Sequence, residues 1–221
     1  MKRDDQKYFC GAASLFAAFL LWTAVVCTVD LQSIGPLGST VGLATLNRWF
    51  HRLTGVHMFL YTLTDWLSII PLGMIVGFAL LGLVQWIGRR SLKQVDRSLF
   101  VLGGFYLAVM AVYGFFEVCV VNYRPVLIEG VLETSYPSST TMLVMCVMPT
   151  AVMLLNERIK NKMLRKGLSG AMIVFTVFMV TARLISGVHW LSDIIGGGLI
   201  STALVMTYLG FIRRSIETHR E

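Results

Sequence analysis

The chain has 221 residues, of which 56% are hydrophobic and only 14% are charged. A soluble domain of this length cannot bury so much apolar surface, so the composition excludes an ordinary soluble protein and favours one that crosses a membrane several times. The net charge of +7 would suggest nucleic acid binding in a soluble protein. In a membrane protein it reflects basic loops on one side of the bilayer, and we expect no nucleic acid partner.

Six apolar segments are long enough to cross a bilayer of about 30 Å at about 1.5 Å per residue. They cover residues 8–29, 67–88, 98–121, 139–156, 168–186 and 190–212. The stretch Val41 to Leu53, between spans one and two, predicts a helix in the membrane interface. We therefore expect an all-α, six-span protein with one interfacial helix, forming a single domain over residues 1–221. The interfacial helix is either a surface element that holds the bundle at the headgroups or a gate for a lipid substrate.

The basic residues predict the orientation of these spans. If both termini are cytoplasmic, the outer loops hold four of the 19 Lys and Arg, which are Arg48, Arg52, Arg124 and Arg183. The other 15 then fall on the cytoplasmic side, as the positive-inside rule requires. We therefore expect cytoplasmic termini in a plasma membrane, and the compact size favours a bacterial one.

This topology brings polar residues from four span ends to the outer face. Arg124 follows span three, and the segment Tyr136 to Thr141 precedes span four. Arg183 ends span five, while His189 and Asp193 begin span six. Ionisable residues at the edge of a membrane are costly, so their convergence predicts a functional site on the extracytoplasmic side. Either arginine alone would be read as a residue that snorkels to the interface.

Two local patterns favour anion chemistry at this face. The helix entry at Ser138 offers free backbone N–H groups and the positive end of a helix dipole, which bind anions, although a plain N-cap explains the same residues. His189 and Asp193 are spaced i, i+4, so we expect them on one helix face, with Asp193 accepting a bond from the imidazole. Glu129 and Glu133, in the loop before span four, are expected to be solvated.

These residues resemble the motifs of the type 2 phosphatidic acid phosphatase superfamily, which also includes the vanadium haloperoxidases. The family has Ser-Arg, five residues, His, three residues and Asp; this chain has Ala182-Arg183, His189 and Asp193 at that spacing. The family's Pro-Ser-Gly-His is similar to the segment from Pro137 to Thr140. The family's Lys, six residues and Arg-Pro is matched by Arg124-Pro125, with Glu117 at the Lys position. The motif region is 117–193.

The resemblance implies a role for each matching residue. His189 would attack phosphorus and form a phosphohistidine, and Asp193 would orient the imidazole. The phosphoryl oxygens would be held by the side chains of Arg124, Arg183 and Ser138 and by the backbone N–H of Ser139, and we place Thr140 with this set. No metal and no other cofactor is implied, because cationic side chains do the electrostatic work.

Two positions depart from the family motifs. The family has a proton-donating His where this chain has Thr140, which favours a leaving group that needs little help from an acid, such as the phosphate of a polyprenyl diphosphate. Glu117 reverses the charge of the family Lys. It is either a proton donor, if burial raises its pKa, or the partner of Arg124 or Arg183 in a salt bridge.

The sequence thus predicts an extracytoplasmic phosphatase that acts on a lipid phosphate or diphosphate in the bilayer. Two alternatives remain open. One is a catalytically impaired protein that binds or moves a lipid phosphate, because two charged family residues are replaced. The other is a phosphotransferase that passes the phosphoryl group from His189 to an acceptor lipid. No oligomeric state is predicted.

Overall fold

The computed structural model describes the backbone of residues 3–217 and the side chains of residues 6–214. Within that range the chain folds into α-helices joined by loops, and no β-strand forms beyond isolated bridges. The helices are α1 (Arg3–Thr28), α2 (Ala44–Thr54), α3 (Met58–Leu67), α4 (Ile69–Arg89), α5 (Arg97–Val118), α6 (Ser139–Arg158), α7 (Lys162–Ile185) and α8 (Leu191–Glu217).

Six segments of the described chain are long and apolar enough to cross a bilayer. They cover Gln6–Thr28, Met58–Arg89, Arg97–Val118, Ser139–Arg158, Lys162–Ile185 and Leu191–Arg214. The protein is therefore an all-α, multi-pass membrane protein, and the predicted fold class is confirmed. The cytoplasmic position of the termini stays a prediction from the distribution of charge.

The second span begins at Met58, although the sequence predicted a start at residue 67. Thr64 and Asp65 interrupt the apolar run there, so hydropathy alone places the boundary too late. Thr64 is nevertheless suited to a buried helix, because its Oγ1 donates to two carbonyls of its own helix at 2.8 and 2.9 Å. The span consists of α3 and α4 joined at Ser68, whose hydroxyl donates to the carbonyl of Thr64 at 2.8 Å.

The predicted amphipathic helix between spans one and two is α2, which starts three residues later than expected. It buries Ala44 and Asn47 and exposes Trp49 and Leu53. The exposed apolar residues suit a helix that lies against lipid, and its place in the membrane interface stays a prediction. The buried face packs towards the start of α8, because the Asn47 side chain bonds to Ser192 there.

The centre of the bundle is formed by α6 and α8. Met142 and Val147 of α6 pack with Ile200 and Leu204 of α8 in one buried cluster, which Phe19 of α1 also joins. The N-terminal ends of α6 and α8 therefore lie together at one end of the bundle, directly above this core. The site described below is built at that end.

The outer helices present apolar side chains away from the core, as helices that face lipid do. Exposed large apolar residues on α4, α5 and α7 include Val76, Leu80, Leu107, Met110, Val174 and Val177. By contrast, the charged and polar residues Arg124, Arg183, His189 and Asp193 are buried, at helix ends and in the loops that join them.

Candidate active site

A cavity of about 430 Å³ lies where α5 ends, α6 begins and the chain turns into α8. Its wall consists of three residues of α5, the loop before α6, the first turn of α6 and the turn before α8. The lining residues are Tyr113, Phe116, Glu117, Arg124, Leu132, Glu133, Thr134, Ser135, Tyr136, Pro137, Ser139, Met142 and His189. The volume falls in the usual range of small-molecule sites, roughly 300–1,000 Å³.

His189 lies in the turn between α7 and α8, not on a helix. The turn is possible because Gly187 adopts a φ of +68°, a conformation that side-chain-bearing residues rarely take. It packs against the junction of α2 and α3, where the backbone N–H of His57 donates to the carbonyl of Ser186 at 2.9 Å. The imidazole of His51 also donates from Nε2 to the carbonyl of Gly187 at 3.1 Å.

The two ring nitrogens of His189 have different partners. Nδ1 lies 3.1 Å from the carbonyl oxygen of Ser135, and because a carbonyl only accepts, Nδ1 carries the proton. Nε2 then has a free lone pair, which accepts a bond from Nη1 of Arg124 at 3.1 Å. Burial lowers the pKa of His189 to about 4, and the positive charge of Arg124 acts in the same direction. The imidazole is therefore neutral near pH 7, with Nε2 as the nucleophilic atom.

Asp193 lies close to His189, but not in the arrangement expected from their spacing. Because α8 begins at Leu191, the two residues do not share a helix face. The carboxylate Oδ2 is 3.7 Å from Nδ1 of His189, which is an ion-pair distance and too long for a hydrogen bond. Oδ2 instead accepts from the backbone N–H of Trp190 at 2.9 Å. Asp193 thus fixes the turn that carries the imidazole.

A buried amide network holds Asp193 and was not predicted from the sequence. Nδ2 of Asn122 donates to Oδ1 of Asp193 at 3.2 Å and lies 3.3 Å from Oγ of Ser192. Asn47 of α2 donates to the same Oγ at 2.9 Å and accepts from the backbone N–H of Ser192 at 3.1 Å. All four side chains are buried, so the network joins α2, the loop after α5 and α8 around one carboxylate.

Arg124 connects His189 with an acidic residue of the cavity wall. While its Nη1 bonds to the imidazole, its Nε lies 2.9 Å from Oε2 of Glu133, in an ion pair rather than an aligned hydrogen bond. The backbones of the two residues also pair, since the Arg124 N–H donates to the Glu133 carbonyl at 3.0 Å. The expectation that Glu133 is simply solvated was wrong, because this pairing draws its carboxylate to Arg124.

Arg183 is buried at the end of α7 and is absent from the cavity wall. Its Nη1 donates to Oγ1 of Thr64 at 3.0 Å and to the carbonyl of Tyr61 at 3.3 Å. The guanidinium also lies 4.6 Å from the centre of the Tyr61 ring, and that of Arg124 lies 5.8 Å from the same centre. The structure therefore brings Arg124 and His189 into contact and places Arg183 behind Tyr61. Its role as a phosphate ligand stays a prediction.

The start of α6 has the N-cap that the sequence allowed, and anion binding at this helix end stays a prediction. Ser138 is the N-cap, since its Oγ accepts from the backbone N–H of Thr141 at 3.5 Å and from its hydroxyl at 3.1 Å. The next residue, Ser139, lines the cavity, so the open end of the helix faces the space beside His189. Thr140 is buried and does not line the cavity. A cis peptide bond joins Tyr136 and Pro137 just before this helix.

Glu117, in the last turn of α5, lines the cavity but forms neither of the predicted salt bridges. Its Oε2 accepts from Oγ1 of Thr134 at 2.9 Å. Arg124 pairs with Glu133 instead, and Arg183 pairs with Asp65 at 3.8 Å. The salt-bridge interpretation of Glu117 was therefore wrong, because the two arginines are already engaged elsewhere.

Fold and site together define a multi-pass membrane protein with a buried imidazole–guanidinium contact at a cavity between helix ends. The chain belongs to the PAP2 superfamily, which its residues 74–217 match. The resemblance found in the sequence motifs is thereby confirmed. Its fold is similar to the crystal structure of a transmembrane PAP2-type phosphatidylglycerolphosphate phosphatase from Bacillus subtilis. That similarity has a TM-score of 0.58 at 18% identity and covers 92% of this chain and 96% of the other. No curated protein matches the chain significantly.

Proposed function

We propose that the protein hydrolyses a phosphate group of a membrane lipid at this cavity, with His189 as the nucleophile. Membership of the PAP2 superfamily and the similarity to a lipid phosphatase support a phosphatase-type function. The observation that carries the proposal is the neutral imidazole of His189, whose Nε2 lone pair points at Arg124 beside a cavity. A nucleophile, a cationic group and space for a headgroup are the parts that phosphoryl transfer needs.

The reaction proceeds in two displacements. Nε2 of His189 attacks phosphorus, an N–P bond forms, and the P–O bond to the leaving group breaks. The leaving oxygen takes a proton from water. A second water then attacks phosphorus, so that a P–O bond forms while the N–P bond breaks and its electron pair returns to Nε2. The proton lost by this water neutralises the hydroxide left by the first step, and inorganic phosphate is released. The Asp193 carboxylate, 3.7 Å from Nδ1, stabilises the positive charge that the ring gains in the first displacement.

The phosphoryl oxygens are held mainly by Arg124, which exchanges its bond with the imidazole for one with the substrate. The backbone N–H groups at the start of α6, beside Ser139, supply the second contact. Ser138 and Thr140 support this helix end from its buried side. Arg183 contributes positive potential from behind Tyr61.

The leaving group distinguishes between lipid phosphates. Thr140 stands where the family has a proton donor, and it provides no proton at neutral pH. A lipid diphosphate, such as a polyprenyl diphosphate, releases a phosphate that needs less protonation than an alkoxide does. The uneven distribution of basic residues supports a site on the extracytoplasmic side of a bacterial plasma membrane.

A lipid-binding or phosphotransferase role is the second candidate. One contact favours a binding protein: the N–H of Arg124 covers the Nε2 lone pair of His189 that catalysis requires. A lipid phosphate held by Arg124 without turnover would leave this imidazole unmodified. Transfer to an acceptor lipid would instead modify it but release little phosphate in the absence of the acceptor.

The test is phosphate release from a panel of lipid mono- and diphosphates by the purified full-length protein in detergent. We expect release by wild type and none by His189→Ala. The matched control is His57→Ala, since His57 is exposed and its ring forms a hydrogen bond to the carbonyl of Thr54 and to no described residue that lines the cavity. Acid-labile phosphate bound to His189 after rapid quenching supports the covalent step. Equal phosphate release by wild type and His189→Ala would reject His189 as the nucleophile. A clear preference for the monoester would reject a lipid diphosphate as the substrate.

A further inference from the structure

The wall of the cavity carries more negative than positive charge. Glu117 and Glu133 each contribute a carboxylate, whereas Arg124 is the one Lys or Arg among the residues that line the space. His189 adds no charge near pH 7, because burial lowers its pKa to about 4. A site that bound only a phosphate group would bind it more tightly if its wall carried more positive than negative charge.

The excess negative charge resides on Glu117. Glu133 is neutralised by its ion pair with Arg124 at 2.9 Å. Glu117 accepts a hydrogen bond from the neutral hydroxyl of Thr134, and across residues 6–214 no Lys or Arg forms an ion pair with it. Its side chain is exposed to the cavity, so this carboxylate remains available to a cation that enters with the substrate.

Two aromatic residues of α5 line the same cavity as this carboxylate. Tyr113 and Phe116 precede Glu117 by four and one positions on α5, and both line the same cavity. The ring of Phe116 meets that of Tyr136 edge-on at 5.7 Å, which fixes the aromatic wall. Aromatic faces attract alkylammonium groups through the ring quadrupole, and a neighbouring carboxylate adds to that attraction.

We infer that Glu117, Tyr113 and Phe116 form a subsite for an ammonium group on the substrate headgroup. This inference rests on the proposed function, because it assumes that the phosphate of the same lipid lies at Arg124 and His189. The ligand class is therefore a zwitterionic lipid phosphate or diphosphate, in which an amine lies a few bonds from the phosphorus, and it is narrower than the lipid diphosphates named above because a polyprenyl diphosphate carries no amine. A purely anionic headgroup would place its charge against Glu117, whereas an ammonium offsets it. The subsite accounts for the reversed charge at the position where the family has Lys.

The experiment uses two lipids that differ in one group, both monophosphates or both diphosphates, whichever the protein hydrolyses faster in the panel above. One carries a free primary amine near the phosphate, and the other is its N-acetylated form, which has the same chain but no positive charge. Phosphate release by the full-length protein gives KM and kcat for each. We expect a KM about tenfold lower for the free amine, as for a cation held by a carboxylate and aromatic rings. The substitution Glu117→Gln should remove this preference, while Glu129→Gln, outside the cavity on the same loop as Glu133, should retain it.

The outcomes separate the subsite from the proposed function. Equal KM values for both lipids in wild type, with normal release, would overturn the subsite and leave the phosphatase intact. A preference that survives in Glu117→Gln would also overturn it. If neither lipid is hydrolysed, the proposed function loses its support, and equilibrium binding of the same pair decides the subsite. Tighter binding of the free amine that is lost in Glu117→Gln supports it, and equal affinities overturn it.

Discussion

Nη1 of Arg124 donates to Nε2 of His189 across 3.1 Å, although the residues are 65 positions apart in the chain. The bond covers the lone pair that attacks phosphorus in the proposed reaction. In that reaction a substrate phosphate must therefore replace the imidazole as the acceptor of this N–H before the nucleophile is free. Binding of the anion and exposure of the nucleophile are thus a single event of the proposed reaction, and neither residue acts before the headgroup arrives.

The first prediction concerns pH. In the proposed reaction His189 attacks only when its ring is neutral, and burial lowers its pKa to about 4, below the usual value of about 6.5. As pH falls, the neutral form therefore persists through pH 6.5 and is lost only near pH 4. We expect the acid limb of kcat/KM to have its midpoint near pH 4. A midpoint near 6.5 would show that the imidazole is hydrated and not buried.

The same pKa depends on Arg124. Its positive charge disfavours a second positive charge on the ring, so Arg124→Gln should raise the pKa of His189. Nitrogen NMR shifts of the His189 ring measure this without any need for activity. Arg52→Gln removes a cation from an exposed position on α2 and should leave the titration of His189 unchanged. A pKa that stays the same or falls in Arg124→Gln would contradict the charge argument.

The second prediction concerns the competition for Arg124. Glu133, about 40% exposed, holds the guanidinium in an ion pair that the substrate phosphate must share or displace. The Arg124 side chain is only 9% exposed, but solvent reaches the Glu133 carboxylate and screens the pair, so we expect the pair to contribute about 0.2–1 kcal/mol. Glu133→Gln should therefore lower KM for a lipid phosphate by up to about fivefold with little change in kcat. Glu129→Gln, which removes a carboxylate from the same loop, should leave KM unchanged. A higher KM in Glu133→Gln would mean that the carboxylate orients Arg124 for binding.

The third prediction tests what holds Arg183 in place. Thr64 is fully buried and accepts from Nη1 of this guanidinium at 3.0 Å. Thr64→Val keeps the shape but leaves a buried charged donor with one weaker acceptor, at a cost of about 1–3 kcal/mol in the free energy of unfolding. Thermal unfolding in detergent measures this. Thr176→Val is the matched control, because Thr176 also bonds back to its own helix, at 2.8 Å, without an arginine. Equal losses would show that Arg183 does not need Thr64.

Hydropathy was sufficient to predict the six spans, because lipid-facing helices must be apolar over their whole length. The start of the second span was missed, since Thr64 satisfies its hydroxyl within its own helix and so is tolerated inside an apolar segment. Motif order and topology predicted that Arg124 and His189 lie at one face of the membrane, but not that they are in direct contact. They also do not specify that Nη1 of Arg124 bonds to Nε2 of His189.

The buried hydrogen-bond network around Asp193 could not be predicted from the sequence. Asn47, Asn122 and Ser192 come from three separate segments, and each alone is an unremarkable polar residue without a distinctive spacing. Their significance arises from burial around Asp193, which only tertiary packing creates. Similarly, the sequence suggested Glu117 as a partner of Arg124 or Arg183 in a salt bridge, and Glu133 was not predicted to have this role. In the structure the backbones of Arg124 and Glu133 pair in the loop, and this pairing brings the Glu133 carboxylate to the guanidinium.

The last prediction concerns the turn that carries the nucleophile. Gly187 has a φ of +68°, and a Cβ there would lie 1.9 Å from the carbonyl oxygen of Gly55. Gly187→Ala therefore suffers both backbone strain and a clash with the α2–α3 junction, and the turn must shift. Gly130→Ala is the matched control, because Gly130 has a φ of +80° with open space around its Cβ position.

Strain alone costs about 1–2 kcal/mol, and this is the loss of stability we expect in Gly130→Ala, with phosphate release retained. Gly187→Ala should lose more stability and also most of its turnover, because a displaced turn moves Nε2 of His189 away from Arg124. Thermal unfolding and phosphate release, measured on both variants, separate these effects. If the two variants lose equal stability and equal activity, the close packing of Gly187 on Gly55 does not position the nucleophile.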